Sequence, residues 1–371
     1  MRSGLEEPLR GDTQALGLPP SHPTLPSLLK KAGYKTALFG KWHLGALPKF
    51  SPLKSGYDKF FGNFGGAIDY FTHKNGTDAK AKFDLYENET PVQQVGYYTD
   101  LIAEHAQAYI AEQNGKKPFF LSLHFTAPHW PWEGPDDQAV ANSLSNLGHY
   151  DGGSLATYAK MVGSLDDAVG KVLTALKEKN IADNTIVIFT SDNGGERFSR
   201  TWPLSGQKSE LLEGGIRVPA IVRWPAQVKS GRVSEQVIIS MDWLPTLLAA
   251  AGGAPDTKFK PDGENILPAI LDTAPPYPRT LFWRYKANEQ AAIRLGDWKY
   301  LKIAGNEFLF NLAQDVRERA NLAQKQPEIF NQLKQRWQDW NNTMLPITAD
   351  VRSYKIDSKS QADHYRGQDG L

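Results

Sequence analysis

Apolar residues recur along the chain in patterns that predict alternating helices and strands. Between Leu155 and Leu176 they fall three or four positions apart, which is the spacing of an amphipathic helix. A second helix is predicted over about 99–112. The run 119–123 predicts a buried strand, and the β-branched run 185–190 predicts a parallel strand covered on both faces. This alternation predicts a layered α/β domain.

The pattern changes after the proline-rich segment 275–278. A helix is predicted from about 327 to 340, and it is preceded by short apolar stretches separated by turns, at 281–285, 291–295, 298–303 and 308–310. Such stretches indicate a small antiparallel sheet covered by one helix. We therefore predict a large domain over residues 1–275 and a C-terminal subdomain over residues 276–371.

Composition and charge exclude several classes of partner. The 42 Lys and Arg residues nearly balance the 41 Asp and Glu residues, so no broad positive field is available for nucleic acid or an anionic membrane. No stretch approaches the roughly 18 apolar residues of a membrane span, and the first residues lack the apolar core of a signal peptide. The absence of cysteine excludes disulfides and thiolate metal sites.

A cation and an imidazole follow the predicted strand 36–39, in the sequence Gly-Lys-Trp-His-Leu-Gly at 40–45. If the chain stays extended, Lys41 and His43 lie on one face and Trp42 on the other. Side chains of this kind at the carboxyl end of a buried strand suit an anionic ligand. A lysine and a histidine on a solvated edge explain these residues equally well.

His129 lies in the sequence Ala-Pro-His-Trp-Pro-Trp at 127–132, directly after the predicted strand 119–123. Two prolines restrain the backbone around it, so a pre-positioned imidazole could donate a proton to a leaving oxygen. The alternative is a loop histidine among packing aromatics. His124 lies within the strand, and we interpret it as structural.

Asp192 and Asn193 end the predicted strand 185–190, and Gly194 and Gly195 follow them. The glycines would let the chain turn, so that the carboxylate and the amide oxygen reach one cation. Such oxygen ligands suit calcium, with magnesium as the alternative. An Asx turn after a strand is the competing interpretation.

Lys208 lies in the segment 206–219, whose sequence contains Gly-Gln-Lys followed by Glu-Gly-Gly-Ile-Arg-Val-Pro. It could face the same anion, with Glu213 and Arg217 forming a structural pair. An ordinary surface lysine is the alternative interpretation.

Together, and in this order, these segments resemble the successive active-site segments of type I sulfatases of the alkaline phosphatase superfamily. The resemblance continues through 240–246 and 294–300, so it covers about 22–322. Within this family, the sequence most resembles bacterial arylsulfatases and N-acetylgalactosamine sulfatases, in which the segment Asp-Tyr-Phe-Thr-His at 69–73 has a counterpart. The resemblance implies an α/β/α fold with a mixed, mostly parallel central sheet and a small C-terminal antiparallel sheet with a helix.

The resemblance also implies a chemistry. In the family, a Cys or Ser in a Cys/Ser-x-Pro-x-Arg motif becomes formylglycine, and its hydrate attacks the sulfur of a sulfate ester. Matched by motif, Asp192 and Asn193 would bind calcium. The binding partner would be a small-molecule or glycan sulfate ester. A phosphatase or phosphonate hydrolase of the same superfamily is the alternative.

The remaining candidates would act on the sulfate group. By the same match, Lys41 and Lys208 would hold its oxygens, His43 would assist the formylglycine hydroxyls, and His129 would protonate the leaving oxygen. Three aromatic side chains would be available to stack on a sugar, which favours a sulfated glycan over a simple aryl sulfate: Tyr70, Trp130 and Trp132.

The sequence departs from the family in its nucleophile. It contains no cysteine, and no serine lies in a Ser-x-Pro-x-Arg context. We expect that the first strand, with its nucleophile and an Asp-Asp metal pair, is missing and that this chain is inactive as it stands. A longer form would be the partner of a formylglycine-generating enzyme and, as in the family, periplasmic or secreted. A nucleophile-free sulfoglycan-binding protein is the alternative.

Overall fold

The computed structural model describes residues 15–77, 81–149 and 151–347. Its strands are β1 (Lys35–Gly40), β2 (Lys59–Gly62), β3 (Tyr86–Glu87), β4 (Thr90–Pro91), β5 (Phe119–His124), β6 (Val187–Thr190), β7 (Ala220–Arg223), β8 (Thr280–Tyr285), β9 (Gln290–Leu295), β10 (Trp298–Ile303) and β11 (Asn306–Asn311). Its α-helices are α1 (Leu25–Lys31), α2 (Tyr98–Ala111), α3 (Gln138–Ala141), α4 (Leu155–Glu178), α5 (Glu213–Ile216), α6 (Trp243–Ala250), α7 (Leu267–Ile270) and α8 (Pro327–Asn341). Among these described helices, none is long and apolar enough to cross a membrane.

The described chain forms two compact units. The N unit consists of the described residues up to Thr185 together with Ser240–Leu267. The C unit consists of Ile186–Ile239 and the described residues from Pro268 onward. These boundaries differ from the predicted division at 275/276, which stays a prediction.

A mixed sheet with the order β4-β3-β2-β1-β5 forms the centre of the N unit. Strand β1 pairs in parallel with both β2 and β5, so that Leu38 lies opposite Phe60 on one side and Ser122 on the other. The short strands β3 and β4 extend the sheet in antiparallel pairing. The apolar run of β1 is buried in this central position, where Leu38 and Phe60 share a cluster with Trp42 and Phe64.

The helices of the N unit follow the predicted periodicity. Helix α4 begins after Ser154, whose hydroxyl accepts a hydrogen bond from the backbone N–H of Thr157 at 3.0 Å. It packs against α2, and the apolar positions of its buried stripe include Met161 and Ala168. Both helices were predicted within about two residues of their observed bounds. Leu28 and Leu29 of α1 pack against Leu248 of α6.

The C unit contains the predicted antiparallel sheet, in the order β11-β10-β9-β8, with α8 packed on β9 and β10. Leu333 of α8 is fully buried against Ile293, Tyr300 and Leu309 of the sheet. Separately, β6 pairs with β7 in antiparallel orientation. The α/β class and the small C-terminal sheet are therefore as predicted.

Two strands are less covered than their sequences predict. The run 185–190 was expected to be a parallel strand covered on both faces, but β6 pairs only with the antiparallel β7. Phe189 is 41% exposed and Ile221 of β7 is 60% exposed. Strand β5 is only half-buried and pairs with β1 on one edge. Within the described residues, neither β5 nor β6 has a partner strand on its second edge. An apolar run thus predicts a strand, whereas its coverage depends on neighbours.

Candidate active site

The carboxyl ends of β1 and β5 are in close contact next to Lys41. Gly40 has a φ of 113°, and a Cβ at this position would lie 2.0 Å from the backbone oxygen of His124. Only glycine permits this approach. The backbone N–H of Lys41 donates to the oxygen of His124 at 2.9 Å, and Nδ1 of His124 lies 2.9 Å from the oxygen of Lys41. Lys41 therefore leaves the sheet from a fixed point.

His43 does not continue the extended strand. Strand β1 ends at Gly40, and His43 has a φ of 54°, so the condition of extended geometry through 40–45 is not met. The chain leaves the strand at Gly40, whose φ angle is 113°. The expected separation is nevertheless present, because Trp42 is buried and donates its indole N–H to the oxygen of Phe50 at 2.9 Å, whereas Lys41 and His43 are half-buried.

The loop after β2 supports the imidazole of His43. The backbone N–H of His43 donates to the oxygen of Phe64 at 3.2 Å, and a Cβ at Gly66 would lie 2.6 Å from Cε1 of the imidazole. The carboxylate of Asp84 accepts hydrogen bonds from the backbone N–H groups of Phe64 and Gly65 at 3.1 and 2.8 Å. Burial raises the pKa of Asp84 to about 6, although these two hydrogen bonds lower it.

The hydrogen bonds of His129 determine which of its nitrogens can carry out proton transfer. Its backbone N–H donates to the oxygen of Thr126 at 2.8 Å, and Nδ1 lies 2.7 Å from the oxygen of Trp130. A carbonyl oxygen only accepts, so we assign the proton to Nδ1. In this tautomer of the neutral ring, Nε2 is the nitrogen without a proton.

Buried tyrosines hold the segment that carries His129. The hydroxyl of Tyr70 donates to the oxygen of His129 at 2.9 Å, and the hydroxyl of Tyr97 donates to the oxygen of Glu133 at 2.7 Å. Tyr70 is fully buried and Trp132 is 2% exposed. Neither can present a ring face to a sugar, so the stacking role expected for these two residues was wrong. Their rings are used in packing.

Glu133 is a buried acid beside this segment. Its Oε2 accepts from the backbone N–H of Tyr70 at 3.1 Å, whereas its Oε1 has no hydrogen-bond partner among the described residues. Burial, followed by the nearby carboxylate of Asp69, raises the pKa of Glu133 to about 8. At neutral pH the side chain is therefore a neutral acid. No local sequence pattern identifies Glu133, because only the fold brings Asp69 and Glu133 together.

In the C unit, the chain turns sharply after Asp192 and Asn193, as the glycines predicted. The backbone N–H of Gly194 donates to the oxygen of Gly215 at 2.8 Å, and a Cβ at position 194 would lie 1.8 Å from the oxygen of Gly214. Nδ2 of Asn193 donates to the oxygen of Gly194 at 2.9 Å. This bond leaves the amide oxygen as the atom suited to a cation.

The fit of this turn to calcium is partial. Asp192 is exposed and Asn193 is half-buried, and their hard oxygen atoms are of the type that calcium prefers. Calcium needs about six to eight oxygen ligands, so these side chains supply only part of a site. Across the described part of the chain, no group of three or more His, Cys, Asp or Glu side chains could hold a metal ion.

Lys208 is attached to the same turn. Its backbone N–H donates to the oxygen of Gly195 at 2.9 Å, and its ammonium group pairs with the carboxylate of Glu196 at 3.1 Å. Both side chains are largely shielded, with exposed fractions of 22% and 14%. Glu196 was not identified from the sequence. Its signal was a carboxylate directly after Gly-Gly, close to a predicted cation.

The C-terminal sheet holds the segment that carries Lys208. Leu211 packs in the apolar cluster of this sheet. The side-chain amide of Gln290, a residue that is 3% exposed, accepts from the backbone N–H of Leu211 at 2.8 Å and donates to the oxygen of Ser209 at 2.8 Å. The sheet therefore fixes the backbone on the C-terminal side of Lys208.

A buried ion cluster fixes the end of this segment. The ammonium group of Lys299, fully buried in β10, lies 2.9 Å from Glu213 and 2.8 Å from Glu318. The predicted pairing of Glu213 with Arg217 is present only at 3.9 Å. Glu213 thus has a closer partner than the one predicted, because the fold brings β10 against α5.

The candidate residues fall into two sets. Lys41, His43 and His129 belong to the N unit, and Asp192, Asn193 and Lys208 belong to the C unit. Each set is held by hydrogen bonds within its own unit.

Most of the chain matches sulfatase sequences. Residues 6–254 match the family described as Sulfatase, and residues 207–343 match the family described as N-sulphoglucosamine sulphohydrolase, C-terminal. Arylsulfatase J of Mus musculus is 30% identical over 406 residues, covering 94% of this chain and 67% of the relative. N-acetylgalactosamine-6-sulfatase of Homo sapiens is 35% identical over 297 residues, covering 76% of this chain and 54% of the relative. The chain thus spans about half to two thirds of the length of these curated relatives.

Solved structures agree with this match. The crystal structure of Ps i-CgsB has a TM-score of 0.80 at 30% identity, covering 91% of this chain and 78% of that one. Ps i-CgsB has also been crystallised in complex with k-i-k-neocarrahexaose. The phosphonate monoester hydrolase of Agrobacterium radiobacter has a TM-score of 0.59 at 21% identity, with 89% and 82% coverage, and shares the fold alone.

These likenesses confirm the alkaline-phosphatase-like α/β fold that the motifs implied. Sulfatases are generally metal-dependent enzymes. The match to the Sulfatase family over residues 6–254 includes all six candidate residues. On this basis, the chain belongs to the sulfatase family.

Proposed function

We propose that this chain is part of a sulfuric ester hydrolase that acts on a sulfated carbohydrate or an aryl sulfate. The single observation that carries the proposal is the sulfatase match over residues 6–254, which includes all six candidate residues. Two likenesses support a carbohydrate substrate, because Ps i-CgsB was crystallised with k-i-k-neocarrahexaose and the human relative is named N-acetylgalactosamine-6-sulfatase. A sulfated glycan is therefore favoured.

Cationic side chains would stabilise the charge of the reacting sulfate. Lys41 leaves the sheet beside the joined ends of β1 and β5, and Lys208 is held at the turn after Asn193. In a sulfate ester transition state, charge accumulates on the peripheral and leaving oxygens, so fixed cations lower the barrier. Glu196 would keep the ammonium group of Lys208 in position until the anion binds.

The two histidines would divide the proton transfers. Because Nδ1 of His129 donates to the oxygen of Trp130, Nε2 would deliver the proton to the leaving oxygen. His129 must therefore be doubly protonated before this step. His43, supported on Gly66, would assist the hydroxyls of the formylglycine hydrate.

Asp192 and Asn193 would supply part of a calcium site, with magnesium as the alternative ion. Their oxygens fit a hard cation, and the hydrogen bond from Nδ2 of Asn193 to Gly194 orients the amide. When bound, such an ion supplies positive charge next to the sulfate oxygens.

The formylglycine nucleophile would not come from these 371 residues. The 371 residues contain no cysteine and no serine in a Ser-x-Pro-x-Arg context, so they provide no substrate for a formylglycine-generating enzyme. We infer that this chain binds a sulfate ester without turning it over. Hydrolysis would belong to a form that carries the formylglycine segment.

A phosphonate or phosphate ester hydrolase is the second candidate, because a phosphonate monoester hydrolase shares the fold. Phosphate monoesters carry more charge than sulfate monoesters and need more compensating cations. The oxygen-donor pair at Asp192 and Asn193, with two lysines, favours the less charged sulfate ester.

A binding experiment separates these candidates. We would measure the affinity of the chain for 4-nitrophenyl sulfate and 4-nitrophenyl phosphate by calorimetry, with and without calcium. The expected result is binding that prefers the sulfate and weakens about tenfold or more in Lys41→Ala and in Lys208→Ala. The comparison with and without calcium shows whether the partial site of Asp192 and Asn193 contributes. Lys31→Ala and Lys229→Ala, which remove exposed lysines elsewhere in each unit, are the matched controls.

Tighter binding of the phosphate would overturn the sulfatase assignment in favour of the second candidate. Equal effects of the control substitutions would show that the two lysines act only through net charge.

A further inference from the structure

An indole group lies in solvent in the loop that carries Lys208. Trp202 is 69% exposed and is the only tryptophan among the large exposed apolar residues of the described chain. A solvated indole forgoes the burial that usually stabilises this side chain, and tryptophan is enriched at binding interfaces because its ring combines an apolar face with a polar N–H.

The loop that presents Trp202 is closed at its base. The backbone N–H of Lys208 donates to the oxygen of Gly195 at 2.9 Å, so the chain between them leaves and returns at one point. Within it, the hydroxyl of Thr201 donates to the oxygen of Gly206 at 3.0 Å. Trp202 therefore lies near the tip of a closed loop whose base is the turn after Asn193.

A guanidinium group lies over the exposed indole. The Cζ atom of Arg317 is 4.2 Å from the centroid of the Trp202 ring, which is a cation–π contact. The hydroxyl of Ser205 donates to the oxygen of Arg317 at 2.5 Å, which ties the loop to the Arg317 backbone. Glu318, the next residue, is fixed by the buried ammonium group of Lys299. Both parts of this pair are thus held in place before any ligand binds.

An aromatic face beside a guanidinium group has a specific chemical complement. A pyranose ring presents an apolar C–H face that packs on an indole, and a sulfate or carboxylate group on the same ring pairs with a guanidinium. Arg317 covers one side of the ring system, so the large exposed fraction of Trp202 is available to such a ligand.

We propose that Trp202 and Arg317 form a subsite for a second, anionic sugar of a sulfated oligosaccharide. This sugar would lie next to the sugar unit whose sulfate ester is bound at Lys208. This inference rests on the proposed function and extends it from a sulfate ester to an oligosaccharide. The subsite increases the affinity for oligosaccharides over single sugars, because preorganised side chains lose little conformational freedom on binding.

The test compares a long and a short ligand on the same variants. The probes are k-i-k-neocarrahexaose and 4-nitrophenyl sulfate, with calcium present, and the affinity is measured by calorimetry. We expect Trp202→Ala to weaken the hexasaccharide about tenfold, which corresponds to about 1.4 kcal/mol, and to leave the aryl sulfate unchanged. Trp202→Phe should retain most of the affinity. Arg317→Ala should weaken the hexasaccharide and reduce the salt dependence of its binding.

Three controls keep the test specific. Phe259→Ala removes another exposed aromatic ring, in the N unit, and should not change the affinity for either probe. The thermal unfolding midpoint of each variant shows whether the Trp202 loop remains folded. Size-exclusion chromatography of Trp202→Ala shows whether the indole instead joins two copies of the chain.

Each contrary outcome points to a different error. An unchanged affinity of Trp202→Ala for the hexasaccharide would overturn the subsite while leaving the sulfatase proposal intact. The subsite would also be overturned if both probes weakened equally, or if the variant changed the oligomeric state and not the affinity. Failure of the unmodified chain to bind either probe would overturn the proposed function and the subsite with it.

Discussion

Replacing Glu133 by glutamine would make the stability of the protein less dependent on pH. Glu133 is fully buried, its Oε2 accepts from the backbone N–H of Tyr70, and Asp69 lies nearby. Burial is the main reason that its pKa rises from 4.5 to about 8, and the negative charges of Asp69 and Asp137 raise it further. The folded protein therefore keeps a proton that the unfolded chain releases above pH 4.5.

The sign and size of the effect follow from this difference. Between pH 4.5 and about 8 the folded state binds more protons than the unfolded state, so the free energy of unfolding falls as the pH rises. Each pH unit in this window costs about 1.36 kcal/mol. Glutamine has the shape of the neutral acid and does not titrate. The stability of Glu133→Gln relative to the unmodified protein should therefore grow by about 3 kcal/mol between pH 5 and pH 7.

Urea denaturation followed by tryptophan fluorescence at pH 5, 6, 7 and 8 measures this difference. Glu178→Gln, at an exposed position in α4, is the matched control and should give a constant difference across the series. If the unmodified protein and Glu133→Gln lost stability in parallel with pH, Glu133 would not be the buried proton carrier, and the interpretation of this cluster would be wrong.

Two substitutions test the packing that fixes the candidate site. Lys299→Met should destabilise the C unit by about 3 kcal/mol or more, because it removes the closest counter-charge of two buried carboxylates and leaves Glu213 with only arginine groups at 3.9 Å. Chemical denaturation would measure the loss, and a change below about 1 kcal/mol would contradict the cluster. Gly40→Ala should lower the thermal unfolding midpoint far more than Gly33→Ala. Both glycines have positive φ angles, but a Cβ at position 40 would lie 2.0 Å from a backbone oxygen of β5, whereas position 33 is open. Equal midpoints would show that the strand ends can separate freely.

Local periodicity was sufficient to predict the elements that pack along one face. Helix α4 follows from the three- and four-residue spacing of its apolar positions, and the sheet β8–β11 follows from short apolar stretches between turns. The turn after Asn193 follows from its two glycines, because only glycine tolerates the contact of position 194 with the oxygen of Gly214. These features depend on residues that are close in sequence.

Features that depend on distant residues could not be predicted in the same way. Apolar runs gave no indication of how far β5 and β6 are covered, since coverage comes from other segments. Tyr70 and Trp132 were expected to face a ligand but are buried. The sequence alone does not distinguish an aromatic side chain in the core from one that lines a binding cleft. The partners of Lys299 lie 86 and 19 positions away, at Glu213 and Glu318, and no local pattern links them.

The open edges of β5 and β6 also bear on how this protein behaves in concentrated solution. Each edge presents a row of main-chain donors and acceptors that no other described strand satisfies. Such rows are templates onto which strands of neighbouring molecules can add, and apolar side chains like Phe189 strengthen the addition. Self-association at these edges would then limit the concentration at which the chain stays monomeric.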